Sequence, residues 1–136
     1  MPEAGQEIDG FGAIRLRFLR VDPEELEMEA TYSGEAGMPP QHLHPEQAER
    51  FEVLEGSMRT IVDGEERVYG QGESFDVPAG TPHQMAAQGP TTMRWQVRPA
   101  KRTAEFFERL YGEGAGSAQE MGESFFAEFE DEFRLA

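Results

Sequence analysis

The chain has 136 residues and no cysteine, the size of one domain that can bury about two-thirds of its unfolded surface without disulfides. Its formal net charge of -15 repels phosphate backbones and anionic lipid, so we expect no nucleic acid and no membrane among its partners. No apolar run approaches the roughly twenty residues that cross a bilayer, and the first residues lack the features of a signal peptide. We therefore expect a cytoplasmic protein with a single domain over residues 1–136.

The first part of the chain alternates apolar and polar residues in the way that half-buried strands do. Residues 14–20 read Ile-Arg-Leu-Arg-Phe-Leu-Arg, and residues 26–32 alternate again. Each stretch predicts a strand with one face in the core. The basic residues of the first strand are then expected on its solvated face rather than in a binding stripe: Arg15, Arg17 and Arg20.

All three histidines of the chain fall in two short blocks. His42 and His44 are one residue apart, so their side chains point the same way from an extended strand and would diverge on a helix. Pro45 opposes helix, and the alternation after it places Glu49 on an inward face with Phe51. A carboxylate is costly to bury alone, whereas a divalent cation shared with two imidazoles removes that cost.

The spacer and the second block fit one small barrel. Asp63 and Gly64 lie between two strand-like runs, which predicts a hairpin. Residues 74–77 predict a short strand, which residues 78–80, Pro-Ala-Gly, bring to an end. His83 follows on the next strand, where it can face inward as a fourth ligand.

After a last alternating stretch, residues 91–98, the period changes from that of a strand to that of a helix. Residues 103–111 predict a short helix, and a second helical stretch continues to about residue 134. We expect its apolar stripe to pack against the barrel or a partner subunit, with a ligand-gating lid as the alternative. The stripe consists of Met121, Phe125, Phe126, Phe129 and Phe133. The chain is thus predicted to form an antiparallel all-β domain over about residues 8–99 with a helical extension over about residues 103–134.

The two histidine blocks resemble the paired motifs of the cupin superfamily. Two positions depart from those motifs: Gly37 leaves four residues rather than the usual five before the His-x-His pair, and Ala87 stands where an asparagine is common. Neither position is a metal ligand in the family. The resemblance covers about residues 26–99, and the matching residues are His42, His44, Glu49 and Gly56 in the first motif and Gly72, Pro78, Gly80 and His83 in the second.

This resemblance implies a cupin-type antiparallel β-barrel, also called a double-stranded β-helix or jelly roll, in a small single-domain protein. It also implies one divalent transition metal ion held by His42, His44, Glu49 and His83. Three imidazoles and one carboxylate suit iron, manganese, nickel, cobalt, copper or zinc. An octahedral ion with these four ligands would keep two positions for water, oxygen or a substrate.

The family includes oxygenases, isomerases and decarboxylases, so the resemblance names a scaffold rather than a reaction. We expect an enzyme that acts on a small organic molecule, with oxygenase chemistry favoured over isomerisation. The alternative is a non-catalytic, metal-assisted module that binds or senses a small ligand. No catalytic residue beyond the ligands is identified, and alternation predicts an apolar substrate-binding wall formed by Phe51, Met58, Met85 and Trp95.

We also expect a homodimer, because barrels of the type that this chain resembles pair through their outer strands. Exchange of the strand at residues 14–20 across a two-fold axis is one route. A monomer is the alternative, in which the aromatic stripe near the carboxyl end covers the exposed surface of the barrel.

Overall fold

The computed structural model describes residues 3–9, 14–34, 38–111 and 129–136. These residues form two antiparallel sheets and a short helix. The elements in chain order are β1 (Glu7–Asp9), β2 (Ile14–Val21), β3 (Leu26–Tyr32), β4 (His42–Leu43), β5 (Ala48–Glu55), β6 (Ser57–Val62), β7 (Glu65–Gly70), β8 (Ser74–Val77), β9 (His83–Ala87), β10 (Thr91–Arg98), α1 (Thr103–Tyr111) and β11 (Arg134–Leu135). One sheet has the order β1-β2-β3-β10-β5-β8 and the other the order β11-β4-β9-β6-β7.

The inner faces of the two sheets supply the core, as the predicted jelly roll requires. On one side of the six-stranded sheet, Phe51, Phe75 and Met93 pack with Met58 and Ala87 of the five-stranded sheet. Further along the same face of this sheet, the apolar residues of β2 and β3 pack with α1 and with Phe129 near the carboxyl end. The prediction of an all-β cupin-type fold with a short helix after it is confirmed.

Strand β2 follows the predicted alternation. Leu16 and Phe18 are fully buried, while Arg15 and Arg17 face solvent. Arg15 forms an ion pair with Asp9 at 2.8 Å. Arg20 forms ion pairs with the carboxylates of two acidic residues that follow β2 in the chain. These pairs neutralise much of the basic stripe, which agrees with its interpretation as the solvated face of a strand.

The hairpin between β6 and β7 turns at Asp63 and Gly64, as predicted. Both residues have positive φ angles, of 51° and 79°. A two-residue turn of this kind matches the right-handed twist of the paired strands, and an Asp-Gly pair adopts it at low cost. The hairpin therefore occupies the whole spacer and keeps both histidine blocks in one domain.

The carboxyl end differs from the expected second helix where the structure describes it. Helix α1 is present, but Phe129 begins a turn and the next regular element is β11, which pairs with β4. The prediction of helix up to residue 134 is therefore wrong for residues 129–134. An edge strand leaves backbone groups unpaired, and β11 satisfies those of β4 in a way that a helix cannot. Of the predicted stripe, Met121, Phe125 and Phe126 lie outside the described residues.

Two further expectations concern the surroundings of the molecule. Within the described ranges, no helix is long and apolar enough to span a bilayer. Strand β2, the candidate for exchange between two subunits, lies between β1 and β3 of its own chain. The homodimer itself stays a prediction.

Candidate metal centre

The two sheets bring the four predicted ligands to one place inside the barrel. His42 on β4 is the direct cross-strand partner of His83 on β9, and His44 follows β4 immediately. Glu49 comes from β5 in the other sheet. Its side chain and those of His44 and His83 are almost fully buried. The inward direction that alternation predicts for Glu49 is the one observed.

The donor atoms of the cluster lie at short distances from one another. One nitrogen from each of the three histidines lies within 4.8 Å of the others. A single carboxylate oxygen, Glu49 Oε1, lies 3.2 Å from His44 Nε2 and 3.1 Å from His83 Nε2. The sequence-based set is therefore gathered in space, with Glu49 directed at two of the three imidazoles.

The Nδ1 atom of each imidazole contacts a backbone carbonyl, and this contact orients the ring. The Nδ1 atoms of His42, His44 and His83 lie 3.2, 2.7 and 2.8 Å from the carbonyl oxygens of residues 40, 132 and 81, respectively. A carbonyl only accepts, so each Nδ1 carries the proton and donates it. In the neutral ring this leaves a lone pair on Nε2, the tautomer that a metal ligand needs.

The resulting arrangement brings lone pairs together without a donor between them. His44 Nε2 and Glu49 Oε1 are buried and have no hydrogen-bond partner among the described residues. Buried acceptors in contact are costly unless a proton or a cation lies between them. Two ligand bonds of about 2.1 Å at a right angle would separate their donor atoms by about 3.0 Å, close to the observed contacts of Glu49 Oε1. These residues fit a divalent metal ion.

The electrostatics of the cluster hold its members in different protonation states. Burial raises the pKa of Glu49, but the facing His44 and His83 outweigh burial and hold that pKa well below its usual range. Burial lowers the pKa of His44, yet the negative charge of Glu49 and contact with it raise the pKa overall. Burial, together with the neighbouring His83 and His44, lowers the pKa of His42 to about 4.

We expect metal-free protein to be most stable near pH 6.5, the ordinary histidine pKa. His44 has a raised pKa, so its contribution to stability is complete below pH 6.5 and is lost as the pH rises through the raised value. His42 has a lowered pKa, so between pH 6.5 and about 4 the unfolded chain takes up a proton that the folded protein does not, and stability falls with acidification.

Urea unfolding in the presence of a chelator, between pH 5 and pH 9, measures this profile. The Glu49→Gln variant lacks the charge that raises the pKa of His44 and should lose the decline on the alkaline side. Equal alkaline slopes in the variant and the wild type would contradict the assignment of that decline to His44.

Trp95 contacts the centre in a way that sequence reasoning missed. Its indole Nε1–H donates a hydrogen bond of 2.7 Å to Glu49 Oε2. The bond occupies the second carboxylate oxygen and leaves Oε1 directed at the histidines. Alternation placed Trp95 on the inner wall, but which inner residue it contacts depends on the register between β10 and β5, where Trp95 is paired with Phe51 and Val97 with Glu49.

Replacing Trp95 with phenylalanine is expected to weaken metal binding by about 10- to 100-fold, the usual effect of losing a contact that orients a ligand. The substitution keeps a ring against Phe51, whose centroid lies 5.2 Å from that of Trp95, and removes the indole N–H. Competition with a chelator measures the affinity. Phe107→Leu is the control, because Phe107 packs on the indole in a T-shaped contact and its ring has no hydrogen-bond donor to offer Glu49. Equal affinities of Trp95→Phe and wild type would rule out the orienting contact.

The residues predicted to line a substrate pocket fall into two groups. Phe51 and Met58 are exposed by 2% and 0% and pack within the core. Met85 and Trp95 are partly exposed and lie at the boundary of that core. Their assignment to a substrate-binding wall stays a prediction, with Met85 and Trp95 the more accessible members.

The carboxyl end also reaches the cluster, which sequence reasoning placed only as a packing face or a lid. The backbone carbonyl of Glu132 accepts the hydrogen bond from His44, and the Phe133 ring stacks on His42 with centroids 4.9 Å apart and planes at 22°. No local sequence signal marks a carbonyl 88 residues away from its partner. The aromatic stripe was the available signal for Phe133.

A two-sheet jelly roll with a histidine and glutamate cluster between the sheets defines a class of β-barrels with a candidate metal site in their interior. Residues 28–97 match the family model Cupin_2, the cupin domain. This stretch covers just over half of the chain and contains all four candidate ligands. The chain belongs to the cupin family.

Solved structures with the same fold are distant in sequence. The chain superimposes on KdgF from Halomonas sp. with a TM-score of 0.66 and 17% identity, over 73% of this chain and 90% of that one. An RmlC-like cupin from Shewanella frigidimarina gives 0.68 and 22%, over 76% and 92%. Pac13 from Streptomyces, described as a nucleoside dehydratase, gives 0.59 and 16%, over 71% and 77%. No curated protein sequence matches the chain. At these identities the likeness concerns the fold.

Ala87 occupies the place where an asparagine is common in the second motif. It is 1% exposed and packs in the core between the sheets. A methyl group suits this apolar position, whereas an amide would need partners there. Gly37, the other departure from the motifs, lies outside the described residues.

Proposed function

We propose that this protein is a divalent-metal-dependent enzyme that acts on a small organic molecule, with oxygenase-type chemistry as the leading class. His42, His44, Glu49 and His83 would hold the ion. When bound, such an ion polarises oxygen atoms of ligands and brings two reactants together at its open positions.

The observation that carries the proposal is the contact of Glu49 Oε1 with His44 Nε2 and His83 Nε2. A carboxylate placed for structural reasons would be expected to meet hydrogen-bond donors. Here one oxygen receives a donor, from Trp95, while the other meets two atoms that the carbonyl contacts of Nδ1 leave as acceptors. A cation is the partner that satisfies all of these atoms together.

The residues around the ligands have definable tasks in such an enzyme. Trp95 fixes the rotation of the Glu49 carboxylate. The carbonyl oxygens of residues 40, 81 and 132 keep the proton on Nδ1 of each histidine, so that Nε2 is available for the ion. The ring of Phe133 covers His42 and excludes water from that side of the cluster.

Met85 and Trp95 favour a substrate with an apolar body, and open positions on an ion favour oxygen atoms that can reach it. Enediols, catechols and diketones combine the two properties. The similar Pac13 is a nucleoside dehydratase, which supports the use of this fold for catalysis on small molecules.

Oxygen consumption by iron-loaded protein, measured across a panel of enediols, catechols and diketones, tests the proposal. Loading with manganese, nickel, cobalt, copper or zinc extends it to other chemistry, with product analysis in place of oxygen uptake. Glu49→Gln is the matched inactive variant. Turnover that requires both metal and Glu49 is the expected result, and absence of turnover with every metal and substrate would overturn the catalytic assignment.

A non-catalytic binding or sensing module is the second candidate. The engagement of the Glu132 side chain favours this candidate. The backbone of Glu132 lies at the cluster, but its carboxylate pairs with Arg102 at 3.1 Å and is therefore not available as a general base. Tight metal-dependent binding of a panel compound, recovered unchanged after long incubation, would support this candidate over the enzyme.

A further inference from the structure

The last eight residues of the chain, 129–136, make three separate contacts with the ligand region. The Glu132 carbonyl accepts a 2.7 Å hydrogen bond from His44 Nδ1. The Phe133 ring stacks on His42 and meets the edge of His44, with centroids 4.9 and 5.9 Å apart. Strand β11 pairs with the histidine strand β4, and the amide of Ala136 donates to the carbonyl of Gln41 at 2.9 Å. We call residues 129–136 the C-terminal strap.

The strap is anchored on the side away from the cluster. Phe129 is fully buried and packs against Phe106 of α1, with centroids 5.5 Å apart. The Glu132 side chain is 3% exposed and accepts a hydrogen bond from Arg102, just before α1. The amides of Glu132 and Phe133 both donate to the Phe129 carbonyl, at 2.8 and 2.9 Å. These contacts leave the Glu132 carbonyl little freedom to move.

A fixed carbonyl behind a histidine does two things for a metal ligand. It keeps the proton on Nδ1, and it holds the plane of the ring so that the Nε2 lone pair points in one direction. His42, in contrast, has its carbonyl partner in its own strand region, at residue 40, and gains its distant support from the stacked ring of Phe133. Two ligands of the cluster thus depend on the strap for their orientation.

We infer that the C-terminal strap is a positioning part of the metal centre, which raises the affinity for the ion and slows its release. The inference rests on the proposed metal dependence. Glu132 acts through its backbone on His44, with its side chain as the anchor, and Phe133 acts through its ring on His42. Loss of either contact should loosen a ligand without removing it.

The test uses full-length protein, Co²⁺ as the probe ion, and the variants Glu132→Ala and Phe133→Ala. Affinity is measured by competition with a chelator, release by chelator chase, and ligand geometry by the visible absorption of bound Co²⁺. Glu130→Ala is the matched control, because it removes the same charge two residues earlier from an exposed side chain. We expect Glu132→Ala to weaken Co²⁺ binding by about 10- to 100-fold and Phe133→Ala to weaken it by about tenfold. Both variants should release the ion faster and show an altered spectrum. Glu130→Ala should match wild type in all three measurements.

A second readout does not need the ion. The ¹⁵N chemical shifts of His44 in metal-free protein report which nitrogen carries the proton, and the strap predicts the Nδ1–H form in wild type and a mixture in Glu132→Ala.

Phe133→Leu keeps most of the apolar bulk without the ring and should behave like Phe133→Ala in the binding and release measurements if stacking is what orients His42.

The outcomes separate the two claims. If wild type binds Co²⁺ tightly but the folded variants bind and release it as wild type does, the strap inference is overturned and the metal-dependent function stands. If wild type binds none of the divalent metals while His44 still shows the Nδ1–H form, the proposed function fails and the inference falls with it. Wild-type binding with the expected losses in both variants supports both.

Discussion

Replacing Glu49 with glutamine is expected to abolish tight metal binding while making the metal-free protein more stable. The glutamine amide is nearly isosteric with the carboxylate. Its oxygen can accept the Trp95 indole N–H, and its NH₂ group can donate to His44 Nε2 and His83 Nε2, which the carboxylate oxygen now meets at 3.2 and 3.1 Å. Acceptors that lack a donor in the wild type would thus gain one. The two properties therefore change in opposite directions.

We expect the affinity to fall by more than about a hundredfold, the upper end of what loss of a merely orienting contact produces. Above the raised pKa of His44, each new hydrogen bond should add about 1 kcal/mol to the free energy of unfolding without metal. Wild type should instead gain about 2.7 kcal/mol from an ion at a hundred times its dissociation constant.

Urea unfolding at pH 8.5 measures both effects, with a chelator in one series and added Co²⁺ in the other. Glu52→Gln is the control, because Glu52 lies on the same strand with an exposed side chain. Metal stabilisation of Glu49→Gln equal to that of wild type would remove Glu49 from the ligand set.

Replacing Gly56 with alanine is expected to lower the free energy of unfolding by about 3 kcal/mol or more, from a strained backbone together with a steric clash. Gly56 has a φ of +86°, and a Cβ atom there would lie 2.4 Å from the Pro90 carbonyl oxygen and 2.8 Å from Thr91 Cα. Both are backbone atoms, which cannot turn aside as a flexible side chain can. Gly56 also joins β5, which carries Glu49, to β6 of the other sheet, so strain there reaches the cluster.

Gly64→Ala separates the two causes. Gly64 has a similar φ of +79° but no atom within 4 Å of the added Cβ, so it should lose only the conformational part, about 1–2 kcal/mol. Chemical denaturation of both variants with the same metal content gives the difference. Equal losses would show that the close approach of residues 90 and 91 has no energetic effect.

The match between Gly56 and the first cupin motif thus has a local physical cause, although the sequence alone does not reveal it. Sequence reasoning identified the glycine by its position in a pattern. Only the approach of the β9–β10 connection, more than thirty residues away along the chain, shows why a side chain is excluded there.

Local periodicity was sufficient to predict most of the strands. Period two in β2, β3, β5 and β10 reflects one face in the core and one in solvent, and the Asp63-Gly64 turn reflects the backbone angles that a tight hairpin needs. The prediction failed at residues 129–134, where helical spacing of phenylalanines suggested a helix. Residues 129–132 instead form turns, and β11 (Arg134–Leu135) then adds an edge strand to β4, because pairing with a distant strand outweighed local preference.

The sequence by itself determined that His42 and His44 point the same way, that Glu49 faces inward, and that His83 is available as a fourth ligand, because these properties follow from alternation along single strands. Only the tertiary structure decided which Glu49 oxygen faces the histidines, that Trp95 holds the other one, and that the C-terminal strap orients His44 and His42. The Trp95–Glu49 contact spans 46 positions along the chain, and the contact of His44 with residue 132 spans 88. Their geometry depends on strand register and sheet packing, which no local pattern encodes.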